Sequence, residues 1–464
     1  MKSIFGRMLM VLSPGGCIIL LIAGLSTLVI IFRPLPGLEG QAVWIYTPRH
    51  AEIYKRELAQ WNRLHPDNRA HLGLFEYHAF QRRLLSGFLA GTPVGDLIEV
   101  ERNMIGPTFT GTFDDVGFVD LTDHLRDEGL LEQINAPSFS PWTSHGRIFG
   151  IPHDVHPVLL AYRADLVEAA GIDVSKIETW DDFYRVLSPL IKDLDGDGRP
   201  DRFLLNLSTS PLQAELIEAL LLQAGGELFD GQKRPVLDSE LNAHVLARLA
   251  TWLVGPRRMC VDAPENTAAG DAMRVRGTVI ASVMPDWLAG AWKQHMPTLS
   301  GKIKLMPLPA WEKGGRHTTV LGGTMIGIAK TAPDFEKSWA IAKYLYLSPQ
   351  SAEALFRGIC IISPVKSNWS LPVYHQPDPF FCGQKIGELF IAQAPDVPLR
   401  SSSPYNTLAL EKFDDALVSL CDYATRENRY DAGELEPEAR RLLGRAQADM
   451  ERLIARNVFL ASQP

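Results

Sequence analysis

The chain has 464 residues, a hydrophobic content of 46%, a charged content of 22% and a net charge of −8. That length holds two or more domains, each with its own core. A mildly acidic balance without a basic run excludes nucleic acid as a partner, because phosphate must be met by clustered Lys and Arg. The cysteines form no CxxC pair and no framework spacing, so Cys260, Cys360, Cys382 and Cys421 are read as buried or free thiols.

Residues 8–32 are 25 consecutive positions without a charge, enough for a helix to cross about 30 Å of hydrocarbon. Lys2 and Arg7 precede the run, which favours a cytoplasmic N-terminus and an exported body. Three readings stay open. The length, with no clear small-x-small cleavage site, favours an uncleaved transmembrane anchor. A cleaved signal peptide is the second. Lipidation at Cys17 is the third, and the Pro14-Gly15-Gly16 approach with most of the apolar run behind it argues against it. Residues 34–40, PLPGLEG, read as a spacer between anchor and body.

In the body, AVWIYT (42–47) reads as a strand and HAEIYKRELAQWNRLHP (50–66) as a helix with Ile53, Leu58, Trp61 and Leu64 on one face, stopped at Pro66. AHLGLFEY then gives a second strand, AFQRRLLSGFLAG a helix ended by Gly91, and GDLIEVE (95–101) a third strand. Such alternation predicts a parallel sheet with helices on both faces. PVLLAYRADLVEAAGID follows as strand, turn and short helix. TWDDFYRVLSPLIKDL (179–194) is a helix capped by Thr179, with Asp181 and Asp182 in its first turn, where carboxylates suit the helix dipole. PLQAELIEALLLQAGG is an apolar helix closed by Gly225 and Gly226, TVIASVMPDW a buried strand running to Trp287, and the last hundred residues are mostly helical.

Between the second and third of these, DLDGDGRPD places Asp193, Asp195, Asp197 and Asp201 at positions 1, 3, 5 and 9 of a calcium-type loop, with Gly198 at the turn. Leu204 stands where the bidentate Glu of such loops is expected, so the motif is either a structural Ca2+ site completed by a remote acid or an Asp-Gly turn that holds no metal. No other cofactor is required.

The pair Gly322-Gly323 precedes the apolar run MIGIA. A phosphate loop needs its glycines after a strand and at a helix start. Here the next helix begins at Pro333 with Asp334 and Glu336 in its first turn, which repels phosphate. The glycines are read instead as a flexible crossing between lobes.

Together, GGTMIGIAKTAPDFEKSWAIAKYLYLSPQSAEALF, GICIISPVKS, FQRRLLSGFLAGTPVGDLIEVE, GRIFGIPHDVHPVLLAYRADLVEAAGI, TWDDFYRVL and GTVIASVMPDWLAG resemble, in order and spacing, the family 1 extracellular solute-binding proteins of ABC importers, over roughly residues 41–460. The resemblance implies an α/β, periplasmic-binding-protein-like fold of two discontinuous lobes around a ligand cleft, behind an N-terminal transmembrane helix. The expected division is 1–37 as anchor and spacer, 38–152 plus 326–363 as the N-lobe, and 153–325 plus 364–464 as the C-lobe. It implies capture of a sugar or oligosaccharide by hinge closure, delivery to membrane permease subunits, action as a monomer, and a body outside the bacterial cytoplasmic membrane. A membrane-tethered sensor using the same cleft, or a non-sugar solute, is the alternative.

By that resemblance Trp287 falls where members stack a sugar and Tyr405 where they carry another cleft aromatic. His156 stands where sugar-binding members have a glutamate, and Asp154 is the nearest acid able to take over its hydrogen bonds. Thr324 lies at the second crossing. Glu101 and Asn103 end the third strand, at the carboxyl edge where open α/β sheets place ligands. An enzyme is the rival class, since Glu101 and Asp154 could be cast as a glycosidase pair, but no nucleophile motif such as GxSxG or HExxH supports it.

Overall fold

The computed structural model describes residues 14–32, 40–210 and 213–457; side chains in the first of these segments are described only at 16 and 18–27. The start of the uncharged run and all but the last residue of the PLPGLEG spacer lie outside the described residues. Within the run, Pro14–Phe32 is a helix of 19 residues, and Ile18 to Ile22 and Leu25 are exposed. Among the described residues no helix is long and apolar enough to cross a membrane.

Among the described residues, twelve strands follow in the body: β1 (Gln41–Ile45), β2 (Ala70–Leu74), β3 (Leu97–Glu101), β4 (Thr143–Ser144), β5 (Arg147–Ile148), β6 (Ile151–Pro152), β7 (Val158–Arg163), β8 (Phe203–Asn206), β9 (Cys260–Val261), β10 (Val279–Pro285), β11 (Ile303–Pro307) and β12 (Thr324–Ile328). They build two five-stranded sheets, ordered β2-β1-β3-β12-β6 and β11-β7-β10-β8-β9, and the hairpin β4-β5. Alternation along β7 sends Leu160 and Tyr162 to one face, against Phe183, Leu205, Leu246 and Phe413, and Leu159 and Ala161 to the other, against Met284, Leu288 and Phe390. The first sheet is likewise covered on both faces: Leu97, Ile326 and Ile328 pack on Trp339 and Leu345, while Ile98, Val100 and Met325 pack on Phe80 and Phe118. The strands inside these sheets are therefore buried on both faces, which explains the near-continuous apolar runs of β7 and β10, while the edge strands β2 and β11 keep part-exposed positions.

The expected all-parallel sheet is corrected. β1 runs parallel to β2 and β3, but β12 enters antiparallel to β3, pairing Thr324 with Glu101 and Ile328 with Leu97. In the second sheet β7 is antiparallel to β10 and β11. The reversed strands are the ones that arrive from the other sheet, so strand-helix alternation within one sheet carries no trace of their direction. Three local readings also shift. The helix read over 179–194 ends at Leu187 and gives way to a 3-10 turn, Ser188–Leu190, with Pro189 in it. Asp334 is the cap of Phe335–Leu347, accepting from Lys337 N at 3.1 Å, rather than a first-turn residue. β10 ends at Pro285, so Trp287 lies in the first turn of the helix Asp286–His295. Thr179 caps Trp180–Leu187 through a capping box with Asp182, and Gly91 ends Tyr77–Ala90 in the left-handed conformation. The four described thiols are free, with Cys382 alone exposed.

The chain passes between the sheets at 153–157, between β11 and β12, and again near Ile361–Val365. These segments run side by side. His153 N donates to Thr324 O at 3.0 Å, and Val155 N to Ile362 O at 3.3 Å. Asp286 fastens the third segment, accepting from Ile362 N at 2.9 Å.

Ile328 is fully buried in β12, whereas Leu89 is 89% exposed at the end of its helix. Ile328→Ala should cost about 2–5 kcal/mol in urea unfolding, and Leu89→Ala should stay within about 0.5 kcal/mol. Equal effects would contradict the packing described.

Candidate ligand cleft

The carboxyl end of β3 faces the helix Ala214–Gln223, which is rooted in the second sheet's core through Ile217, Leu220 and Leu221. Glu101 ends β3 and caps the short helix Arg102–Ile105, accepting from Asn103 N at 3.0 Å. The Tyr77 hydroxyl donates to the same carboxyl at 3.0 Å. Desolvation, and then the negative charge of Glu215, push Glu101 up to about 8. The next two residues reach across to the other lobe. Arg102 meets Glu218 with both arms of its guanidinium, one of them at 2.5 Å, and Asn103 donates to Glu215.

Both members of the Arg102–Glu218 pair are buried. Burial would raise Glu218, but the Arg102 charge and its two hydrogen bonds outweigh it and hold the carboxyl below its ordinary range. Asn406 donates to Glu218 at 3.2 Å, and a second guanidinium, Arg400, donates to Gly322 O. Burial, and next the charge of Arg102, push Arg400 down to about 9. The space left among Arg102, Asn103, Ser401 and Asn406 is about 10 Å³, room for about one water. The lobes meet here over a closely packed polar seam.

The floor of the seam is the group of crossing segments. Gly322 and Gly323 have φ of +85° and +135°. A Cβ on Gly322 would sit 2.7 Å from Trp287 Nε1 and one on Gly323 2.6 Å from the Arg400 guanidinium. The pair is therefore needed both for backbone conformation and for close approach. Trp287 is half-buried between the two cores and donates from Nε1 to Leu321 O at 3.2 Å. Thr324 is buried, opposite Glu101 in the ladder, and its hydroxyl has no hydrogen-bond partner.

His156, at φ +57°, and Asp154 are buried and in contact, with Asp286 3.9 Å from the other imidazole nitrogen. Burial drives His156 down, against the pull of Asp154; Asp154 is held low by the His156 charge despite its own burial. Tyr405 precedes Asn406–Glu427, and its hydroxyl accepts from Asn457 at 2.6 Å, so its polar end is engaged with the second lobe.

Of the residues read from the sequence, Glu101, Asn103, Thr324, His156 and Trp287 come together around the seam and its floor, with Asp154 behind His156. Arg102, Glu215, Glu218, Arg400 and Asn406 were missed. Arg102 was legible, since it directly follows Glu101 at the carboxyl edge of a strand. Glu215 and Glu218 share one face of an otherwise apolar helix at i, i+3 spacing, a signal that could have been read. Arg400 gives no local sign. Two guanidiniums thus reach the seam, Arg102 and Arg400, and the charge of Glu218 acts on both.

The calcium-type loop lies elsewhere. Asp193, Asp195 and Asp197 are exposed, with one oxygen of each within 4.8 Å of the others. Asp193 accepts from Gly196 N and Gly198 N, while Asp201 turns to Leu194 N and Asp195 N.

The family model described as "Bacterial extracellular solute-binding protein" matches residues 47–352. An arabinooligosaccharide-binding protein of Halalkalibacterium halodurans is 23% identical over 390 residues, covering 82% of this chain and 84% of that protein. A protein of the same name from Bacillus subtilis is 24% identical, covering 63% of this chain and 66% of that protein. Among solved structures, the sugar-binding protein MalE from Xanthomonas citri superposes with a TM-score of 0.69 at 17% identity, over 89% of this chain and 99% of that one. An extracellular solute-binding protein of family 1 gives 0.70 at 18%, over 88% and 99%.

Glu101 supplies a pH signature. Its folded value lies above the ordinary 4.5, so between about pH 4.5 and 8 the unfolded chain loses a proton that the folded chain keeps, and stability falls as pH rises. Glu101→Gln should flatten this decline in urea midpoints measured at pH 5 and pH 8. An unchanged slope would show that Glu101 ionises normally.

Proposed function

This chain belongs to the bacterial extracellular solute-binding proteins, and from that premise we propose that it captures a sugar or oligosaccharide between its lobes and delivers it to an ABC permease. The observation that carries the reading is the seam, where Arg102 and Asn103, just past the carboxyl end of β3, hydrogen-bond to Glu218 and Glu215 on the facing helix of the other lobe. Asn103, Glu215, Glu218, Asn406 and the two guanidiniums offer the donors and acceptors that sugar hydroxyls need. A guest would exchange the cross-lobe bonds for bonds to itself. Only the closed arrangement touches it from both sides, so binding selects closure.

In this reading Trp287 supplies an apolar face for the C–H side of a sugar ring. Glu101 and Thr324 address hydroxyls from the first lobe, and His156, backed by Asp154, from the crossing. Tyr405 adds an aromatic wall from the second lobe. The named relatives are binding proteins, and we assign no covalent chemistry on the guest. The relatives' names put arabino-oligosaccharides first among the sugars to test.

Thermal unfolding against a sugar library tests this directly. A guest at about a hundred times its Kd adds about 2.7 kcal/mol of stability, and Trp287→Ala should weaken its binding about 10- to 100-fold. No response to any carbohydrate would reject the sugar assignment.

We place the body outside the cytoplasmic membrane, held by the uncharged run 8–32 as an anchor. Its support is the length of that run and the exposed apolar side chains of the Pro14–Phe32 helix. Full-length protein should stay with membranes through an alkaline carbonate wash, and a chain starting at residue 38 should be released. Release of both forms would remove the anchor.

The Asp193–Asp201 loop is proposed as a structural Ca2+ site, its three exposed carboxylates taking the ion and water filling the rest of the shell. Calcium should then raise the melting temperature of the wild type and not of Asp193→Asn. Identical responses would reject the site.

A further inference from the structure

A second group of side chains, buried beneath the first crossing, has no part in the seam. His50 comes from the helix Pro48–Leu64, Glu99 from the middle of β3 and His153 from the residue after β6; they are 7%, 0% and 1% exposed. One ligand-capable atom of each lies within 4.8 Å of the others. His50 Nδ1 is 3.0 Å from both Glu99 oxygens, and the Tyr346 hydroxyl donates to Glu99 at 2.8 Å. The His153 ring lies against His50, with centroids 4.5 Å apart. Neither nitrogen of His153 has a hydrogen-bond partner; Asp154, at 3.8 Å, is too distant for one.

A hydrogen-bonded network accounts for His50, Glu99 and Tyr346. It leaves His153 with a donor and an acceptor, both buried and unused, which protein interiors avoid. An ion among the three side chains would employ it. We propose that His50, Glu99 and His153 form a buried site for one zinc-class divalent cation. Two imidazoles and one carboxylate are a ligand set suited to such a metal. Two ligands of a tetrahedral zinc, each about 2.0–2.1 Å from it, stand about 3.3 Å apart, close to the spacing of His50 and Glu99.

The Tyr346 hydroxyl fixes the Glu99 carboxylate from outside, as partners of metal ligands do. The Tyr54 hydroxyl, buried beside the group without a hydrogen-bond partner, is available to a bound water. The neighbouring trio Asp154, His156 and Asp286 is equally compact, but Asp286 already accepts from Trp287 N and Ile362 N, and the positive charge of Arg400 acts on His156. The cation therefore belongs on the His153 side. There it would tie the first helix of the body, β3 and the first crossing together. This inference is independent of which solute the cleft takes.

The test is Co2+ titration of the chelator-stripped full chain, read by visible absorption. One equivalent should give the strong bands of a low-symmetry, four-coordinate ion, and one equivalent of Zn2+ should abolish them. His153→Ala removes no hydrogen bond present in the structure, so it should fold, as judged by circular dichroism, and bind Co2+ about 100-fold more weakly. His50→Gln, which keeps a donor toward Glu99, should do the same and decides the matter if His153→Ala is unfolded. Asp193→Asn and His156→Ala should keep the bands. No bands in the wild type, bands that survive loss of His153 or His50, or bands lost with Asp193 or His156 would overturn the proposal.

Discussion

The architecture turns on a guanidinium and a carboxylate, Arg102 and Glu218, that come from different lobes and are buried against each other where the lobes meet. Each is built into its own lobe by backbone, one at the end of β3 and the other on a helix rooted in the second core. Desolvating such a pair costs nearly as much as their attraction returns, so its net contribution to closure is small. Removing either partner, in contrast, strands the other charge in a buried seam. A pair with these properties fixes how the lobes register against each other without locking them shut, which suits a cleft that must also open.

The floor of the seam follows from that need. Three chain segments run between the sheets, joined to one another by backbone hydrogen bonds such as His153 N to Thr324 O. Gly322-Gly323 lies in the second of these segments, where positive φ and the lack of side chains let it pass closely between Trp287 and Arg400. Asp286 fastens the third segment to the end of β10. Seam and floor are therefore made of neighbouring residues: Trp287 packs against the glycine pair and Arg400 donates to Gly322 O.

Much of this was legible in the sequence. The N-cap at Thr179, the helix end at Gly91 and the buried strand β10 follow from local chemistry and appear where expected. The glycine pair announced a special backbone, and elimination of a phosphate loop left a crossing. The antiparallel entry of β12 was not legible, because pairing of residues 324–328 with 97–101 is a fact of tertiary structure and leaves no periodicity behind. The cleft was legible by its strand ends and not by its partners. Glu101 and Asn103 could be placed from the edge of β3, whereas Arg400 arrives from a loop nearly three hundred residues later. The cluster beneath the first crossing was hidden for the same reason: His50, Glu99 and His153 sit in three separate elements with no motif spacing.

The central claim is that two lobes clamp a guest and change their separation in doing so. Spin labels on Leu89→Cys, at the exposed end of a first-lobe helix, and on Leu241→Cys, exposed on the second, in a Cys382→Ser background, would report that separation by pulsed electron resonance. The account predicts a distribution that includes a longer distance without sugar and collapses to a single shorter one when a binding sugar is added. One distance, the same with and without a sugar that calorimetry shows to be bound, would contradict it.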